Sequence, residues 1–169
     1  MPRPGRDYQL KEIVGQGAFG VVRRATHKPT DAACVLKRVQ LAPTVLDELH
    51  TMRKLNHPHC CKLLDAWEAN GALVIVMPYY PNGDLLARYN RQPALTDADV
   101  LSIAAQPALA LQYIHSQKML HRDIKPSNVL LAADGSCRLA DFGLARDLAS
   151  TAALASTSCG SPCYMAPEL

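Results

Sequence analysis

His121-Arg122-Asp123-Ile124-Lys125-Pro126-Ser127-Asn128 packs a base, two cations and a metal-competent amide into one short stretch. An aspartate in such a loop can accept the proton of an attacking hydroxyl, and the asparagine that follows can bind a metal ion. Asp141-Phe142-Gly143 comes next and supplies a carboxylate for Mg²⁺ beside phosphates. Ala166-Pro167-Glu168 closes the segment. With each residue at about 5% of usage, the His-Arg-Asp triplet and its spaced Asn arise by chance in about one chain in a thousand.

A second motif lies near the start: Gly15-Gln16-Gly17-Ala18-Phe19-Gly20-Val21-Val22. Three glycines at this spacing occur by chance in about one chain in twenty. They fit a phosphate-covering loop, a dinucleotide fold or an ordinary glycine-rich hairpin. The dinucleotide fold needs a helix after the glycines and an acid about 20 residues on. Here Val21-Val22 continues as a strand, and the later region holds Lys37, a base. A hairpin turn without side chains can lay backbone N–H groups over a polyphosphate. On these residues alone the plain hairpin stays open.

The elements that must position these groups follow from apolar periodicity. Residues 8–14, 21–26 and 34–39 read as strands on either side of the glycine segment 15–20. Residues 44–55 read as a helix, with Thr44 at its N-cap and Val45, Leu46, Leu49, Met52 and Leu55 on one face. Strands are expected near 61–67 and 73–77, and 78–83 is punctuated like a linker. Residues 85–89 and 96–115 are helical in pattern. Pro107 lies inside the second helix, removes a donor and clashes with the Ile103 carbonyl, so a kink or a break is expected there. Strands before the linker and helices after it predict two lobes joined by a hinge.

Bulk properties set wide bounds. The 169 residues are 49% hydrophobic, enough for one compact domain or a two-lobed fragment. The net charge of +3 comes without a concentrated basic stripe, which argues against a nucleic-acid partner. Cys34, Cys60, Cys61, Cys137, Cys159 and Cys163 form no CxxC pair and read as reduced thiols of a cytoplasmic or nuclear protein. The first residues lack a signal-peptide apolar stretch, and the longest apolar run, 73–77, is strand-sized, so no membrane partner is expected.

The glycine loop, the His-Arg-Asp loop, Asp141-Phe142-Gly143 and Ala166-Pro167-Glu168 stand in the order and at the intervals of one family. From Tyr8 to its last residue the chain resembles a eukaryotic-type serine/threonine protein kinase. The resemblance implies an α+β, two-lobed fold with a complete β-rich N-lobe at 8–77, a hinge at 78–83 and a helical C-lobe from 84 to 169, after a flexible tail at 1–7. It implies ATP and Mg²⁺ as cofactors and a protein substrate. Asp123 is then the catalytic base, Lys125 a charge near the transferring phosphate, and Asn128 and Asp141 the metal ligands. Lys37 matches the lysine that contacts the α- and β-phosphates, and Glu48 its partner on the following helix; the register favours Glu48 over Asp47. Gly15, Gln16, Gly17, Ala18, Phe19 and Gly20 cover the phosphates. Val22, Val35 and Leu130 line the adenine site, with Val35 narrowing its ceiling where the family has a smaller alanine. Met77 is the gatekeeper. Pro78, where an acidic residue is usual, keeps the carbonyl that adenine needs, and Tyr80 keeps the N–H. Asp84 matches an acid that touches ribose, and capping the next helix explains it equally well.

Lys125 and Ser161 resemble the serine/threonine type, Ser161 matching a residue that hydrogen-bonds the catalytic loop. Arg122 implies regulation by an upstream activating kinase, with Thr157 as the favoured acceptor among Ser150, Thr151, Ser156, Thr157, Ser158 and Ser161. The loop text is similar to NIMA-related and calmodulin-dependent-type kinases and does not choose between them. The family's pattern runs on beyond Glu168, so the C-lobe is expected to be incomplete here. The 169 residues alone are expected to bind nucleotide weakly, and the alternative is a catalytically incompetent fragment or pseudokinase-like binding module. Oligomeric state and substrate are not encoded in any motif.

Overall fold

The computed structural model describes residues 6–17, 20–91, 94–147 and 160–167. They divide into two compact units, residues 1–53 with 62–79, and residues 54–61 with 80–169.

The first unit is an antiparallel sheet of five strands in the order β1-β2-β3-β5-β4, with one helix. The strands are β1 (Tyr8–Gly17), β2 (Gly20–His27), β3 (Ala32–Gln40), β4 (Asp65–Ala69) and β5 (Ala72–Pro78). Helix α1 spans Pro43–Lys54. Period-two alternation gives the sheet two distinct faces. Ala25 opposes Cys34, Leu36 opposes Val76, and Trp67 opposes Val74. With Tyr8 these residues form a core cluster, in which the Tyr8 ring stacks on Trp67 at 5.4 Å and its hydroxyl donates to Asp65. The opposite face carries Val22 against Lys37, Arg24 against Val35, and Val35 against Met77. The burial of Val74 and Val76 on one face and Leu73 and Ile75 on the other explains why β5 reads as an unbroken apolar run.

Three expectations about this unit need correction. Thr44 lies inside α1, not at its N-cap; the Ala42 carbonyl receives the first amides, from Val45 and Leu46. Leu46 is 45% exposed, whereas Leu49 and Met52 are buried beside Glu48 and Thr51, so the inward face is rotated toward the acidic residue. Strand β4 begins at Asp65, later than the 61–67 pattern suggests, because Cys60 and Cys61 belong to the other unit.

In the second unit α2 spans Leu85–Arg91 and α3 spans Asp97–Ser116. Thr96 caps α3 in a capping box with Asp99. The helix runs unbroken through Pro107, against the expected break. Gln106 steadies that turn, its side chain donating to the Ser102 carbonyl and accepting from the Cys137 amide at 2.8 Å. Three short antiparallel pairings follow: β6 (Met119–Leu120) with β9 (Arg146–Asp147), and β7 (Val129–Leu131) with β8 (Cys137–Leu139), and a lone bridge joins Asp84 to Leu130. Residues 54–61 are tied to this unit by the Cys61 amide on the Leu139 carbonyl, the Leu139 amide on the His59 carbonyl, and His57 stacked on Tyr113 at 5.1 Å. Burial beside Cys61 pushes the Cys60 thiol up to about 12, so it stays protonated and inert.

Candidate functional site

Each unit carries one set of the predicted residues. In the first, Lys37 Nζ reaches Glu48 Oε1 at 2.7 Å, and both side chains are largely shielded from water. The strand register presents Lys37 on the face shared by Val22, Val35 and Met77, and α1 brings Glu48 to it. Asp47 does not make this contact, as the helical register requires. At the end of the glycine segment, Gly17 pairs with Gly20. Gly20 has a φ of +113°, and a Cβ there would collide with the Arg38 carbonyl oxygen, so only glycine fits. Gly15 and Gln16 sit in β1; Ala18 and Phe19 lie outside the described residues. Pro78 ends β5 opposite Cys34, and the Tyr79 amide returns to the Ala33 carbonyl.

In the second unit the backbone turns twice to gather polar groups. Asp123 is buried, 8% exposed, and its carboxylate is surrounded by donors. Lys125 Nζ lies 2.7 Å from Oδ2, Asn128 Nδ2 donates to Oδ2 at 3.0 Å, and Ser161 Oγ donates to Oδ1 at 2.9 Å. Lys125 also donates to Ser161 Oγ at 2.7 Å, and Asn128 to the Asp123 carbonyl at 2.8 Å. Burial alone would raise the Asp123 carboxyl; the hydrogen bonds from Lys125, Ser161 and Asn128 outweigh it and hold the group below its ordinary value. The result is an ionised base with a fixed orientation. Asp141 and Arg122 both adopt left-handed backbone, with φ of 64° and 66°. Asp141 is exposed, next to the fully buried Phe142.

His121, quoted in the motif but given no role from sequence, turns out to brace this loop. Its Nδ1 accepts from the Asp123 amide at 3.3 Å, so Nε2 carries the proton donated to the Ala140 carbonyl at 3.0 Å. Phe142 packs edge-on against its ring at 5.1 Å. Burial lowers the His121 pKa and keeps the ring neutral, as these partners need. The signal in the sequence was a histidine flanked by apolar Met119-Leu120 and Ile124, a pattern that fits a satisfied core histidine. Arg122 Nε donates to the Leu144 carbonyl at 2.8 Å. Gly160, at φ +120°, passes so close to the Arg122 carbonyl that a Cβ would approach it to 2.7 Å. That close approach brings the following Ser161 to Asp123. Asp84 Oδ1 accepts from the Ala87 amide at 2.8 Å, so this acid caps α2. Leu130 is half-buried in β7, and burial pushes the Tyr80 hydroxyl far up, beside Cys61. Thr157, Ser150, Thr151, Ser156, Ser158 and Glu168 lie outside the described residues.

The protein kinase domain model matches residues 8–169. The chain belongs to the protein kinase domain family. Among curated relatives, this kinase chain is 36% identical over 172 residues to the serine/threonine-protein kinase Nek5 of Homo sapiens, covering 96% of the chain and 24% of that protein. It is 36% identical to serine/threonine-protein kinase 36 of Pongo abelii, across 96% of the chain and 13% of the relative. It is 34% identical to the Arabidopsis thaliana serine/threonine-protein kinase ATG1b, across 99% of the chain and 25% of the relative. The kinase chain thus spans about a quarter or less of the relatives it matches. Family membership is consistent with the five-stranded sheet and its helix in the first unit and with the partial helical set in the second.

Proposed function

We propose that this protein transfers the γ-phosphoryl group of ATP to serine or threonine hydroxyls of protein substrates. The observation that carries the reading is the Asp123 carboxylate, kept ionised and oriented by Lys125, Ser161 and Asn128. Asp123 orients the substrate hydroxyl and takes its proton as the oxygen attacks. Lys125 places positive charge beside the transferred group. Lys37, held by Glu48, positions the phosphates, and the backbone of residues 15–20 covers them. Val22, Val35 and Leu130 hold adenine by apolar contact, past Met77, with the Pro78 carbonyl and Tyr80 amide as its polar partners. Asp84 already spends one oxygen on α2, so a ribose contact falls to the other.

Asn128 and Asp141 would hold Mg²⁺. The described residues contain no cluster of three or more His, Cys, Asp or Glu able to cage a metal. Mg²⁺ binds through one or two protein oxygens together with substrate phosphates, and Asn128 and Asp141 offer such oxygens. When bound, the ion neutralises charge on the phosphates.

Arg122 supports control by an upstream activating kinase. Its bond to the Leu144 carbonyl sets the guanidinium at the start of the segment that leads to Thr157, whose phosphate it would pair with. The five cysteines among the described residues are free thiols, four of them buried, which supports a cytoplasmic or nuclear setting. Among the described residues no helix is long and apolar enough to cross a membrane.

The deciding experiment measures radiolabelled phosphate transfer to a protein substrate by the wild type and by Asp123→Asn, alongside nucleotide affinity. A loss of about 10²–10⁴-fold in turnover with ATP affinity retained is expected. Equal turnover in the two proteins would sink the assignment and leave a binding module as the better reading.

A further inference from the structure

Away from the catalytic loop, the second unit holds a cavity of about 510 Å³ lined by Pro81, Asn82, Arg88, Arg91, Leu131 and Gly135. None of the residues assigned above to catalysis or nucleotide binding lines it. Its frame is well tied. Asn82 Nδ2 donates to the Ala132 carbonyl at 2.8 Å, and the Leu131 amide donates to the Gly83 carbonyl at 2.8 Å. These bonds lock the turn after β5 to the β7–β8 hairpin. Arg91 is held across the opening, its Nε on the Ala87 carbonyl at 3.1 Å and Nη2 on the Asn82 carbonyl at 3.3 Å. A guanidinium has five N–H donors, so these two bonds leave others for a ligand. The Arg88 amide donates to the Asp84 carbonyl at 3.1 Å, whereas its side chain makes no hydrogen bond to another described residue; its charge is felt at Asp99, the weakest of the causes that lower that carboxyl. Gly135, at the hairpin tip, has nothing within 4 Å of its Cβ direction, so this rim is open.

We propose that this cavity binds an acidic peptide segment of a protein partner. Among the described residues that line it are two guanidinium groups and no carboxylate, which is charge complementarity for an anion. Planar guanidinium forks favour the bidentate geometry of a carboxylate or phosphate. The volume lies within the range of ligand pockets and exceeds what one small anion fills. Leu131 and Pro81 add apolar wall for a neighbouring side chain. Two arginines on a chain of net charge +3 give no continuous track for nucleic acid. The arginines also occupy the last turn of α2, where cations favour the helix dipole.

The test does not depend on phosphotransfer. Fluorescence anisotropy of the full chain would be measured with a short labelled peptide alternating glutamate and leucine. The same peptide with glutamine, a phosphoserine version, inorganic phosphate and a single-stranded oligonucleotide form the other arms. Saturable binding of the glutamate or phosphoserine peptide is expected, with none for the glutamine peptide. The tighter of the two acidic arms identifies carboxylate or phosphate as the natural group. Arg88→Gln should weaken binding about tenfold while the melting temperature falls by no more than a few degrees, since the Arg88 side chain anchors no described neighbour and gives up only its charge on the α2 dipole. In the wild type, titration should shift the amide resonances of Asn82, Leu131 and Gly135. Binding unaffected by Arg88→Gln, shifts confined to other residues, equal binding of the glutamine peptide, or binding of oligonucleotide or phosphate without peptide would each overturn the proposal.

Discussion

Lys37 and Glu48 meet across 2.7 Å because a helix lies against a sheet, whereas Asp123, Lys125 and Asn128 meet because one loop folds back on itself. The first pair has two members on separate elements, and its geometry is only as good as the packing of α1 through Leu49 and Met52. The second set is short-range, apart from Ser161, which arrives from 38 positions away. It rests on a buried floor of His121 and Phe142. A pair held by element packing is adjustable when a helix shifts. A carboxylate fixed by its own loop is preorganised. One half of the machinery is therefore suited to regulation and the other to chemistry.

The contrast can be broken most severely at its floor. Phe142→Ala should cost about 3–5 kcal/mol of stability, measured by denaturant unfolding, because a fully buried ring leaves a cavity under His121. A cost under about 1 kcal/mol would mean that the second cluster has no rigid base. Next in size, Glu48→Gln should lower kcat/KM for phosphotransfer by about 10²-fold while the pH profile keeps its shape, since Asp123 is untouched. A shifted acid limb in that variant would show that the two sets are not independent. Ser161→Ala should lower turnover about tenfold and also move the acid limb of the rate to higher pH. The sign follows from the bond lost: Ser161 helps to hold the Asp123 carboxyl down, so without it protonation begins at higher pH. The smallest effect concerns His121. Its pKa is lowered by burial, so the unfolded chain binds the extra proton first, and stability present above about pH 6.5 is lost as pH falls below that value. His121→Asn should flatten the fall in melting temperature between neutral and mildly acidic buffer.

Local chemistry was legible where spacing is short. The loop that gathers Asp123, Lys125 and Asn128 spans a handful of residues, so residue type and order nearly suffice to describe it. Glu48 was legible too, from the family resemblance, and the 100° step of a helix favoured it over Asp47. The inward face of α1 was misjudged at Leu46, because burying Glu48 beside Lys37 turns the helix away from its most apolar stripe. At Pro107 the expected break did not occur: a single missing donor is tolerated when Gln106 ties the preceding turn to Ser102 and Cys137. The cavity under Arg88 and Arg91 has no sequence signature, since its walls come from a turn, a helix end and a hairpin far apart in the chain.

Residue types and their order along the chain already specify the chemical groups: the glycine turn, the lysine and glutamate, the aspartate loop and the second carboxylate. Those follow from residue type and from distances that a few bonds impose. Folding is what puts the His121 proton on Nε2, closes Ser161 on Asp123, and sets Gly20 and Gly160 where a Cβ would strike a carbonyl. Each of these depends on atoms distant in the chain being brought within hydrogen-bond or van der Waals reach, and no local pattern contains that distance.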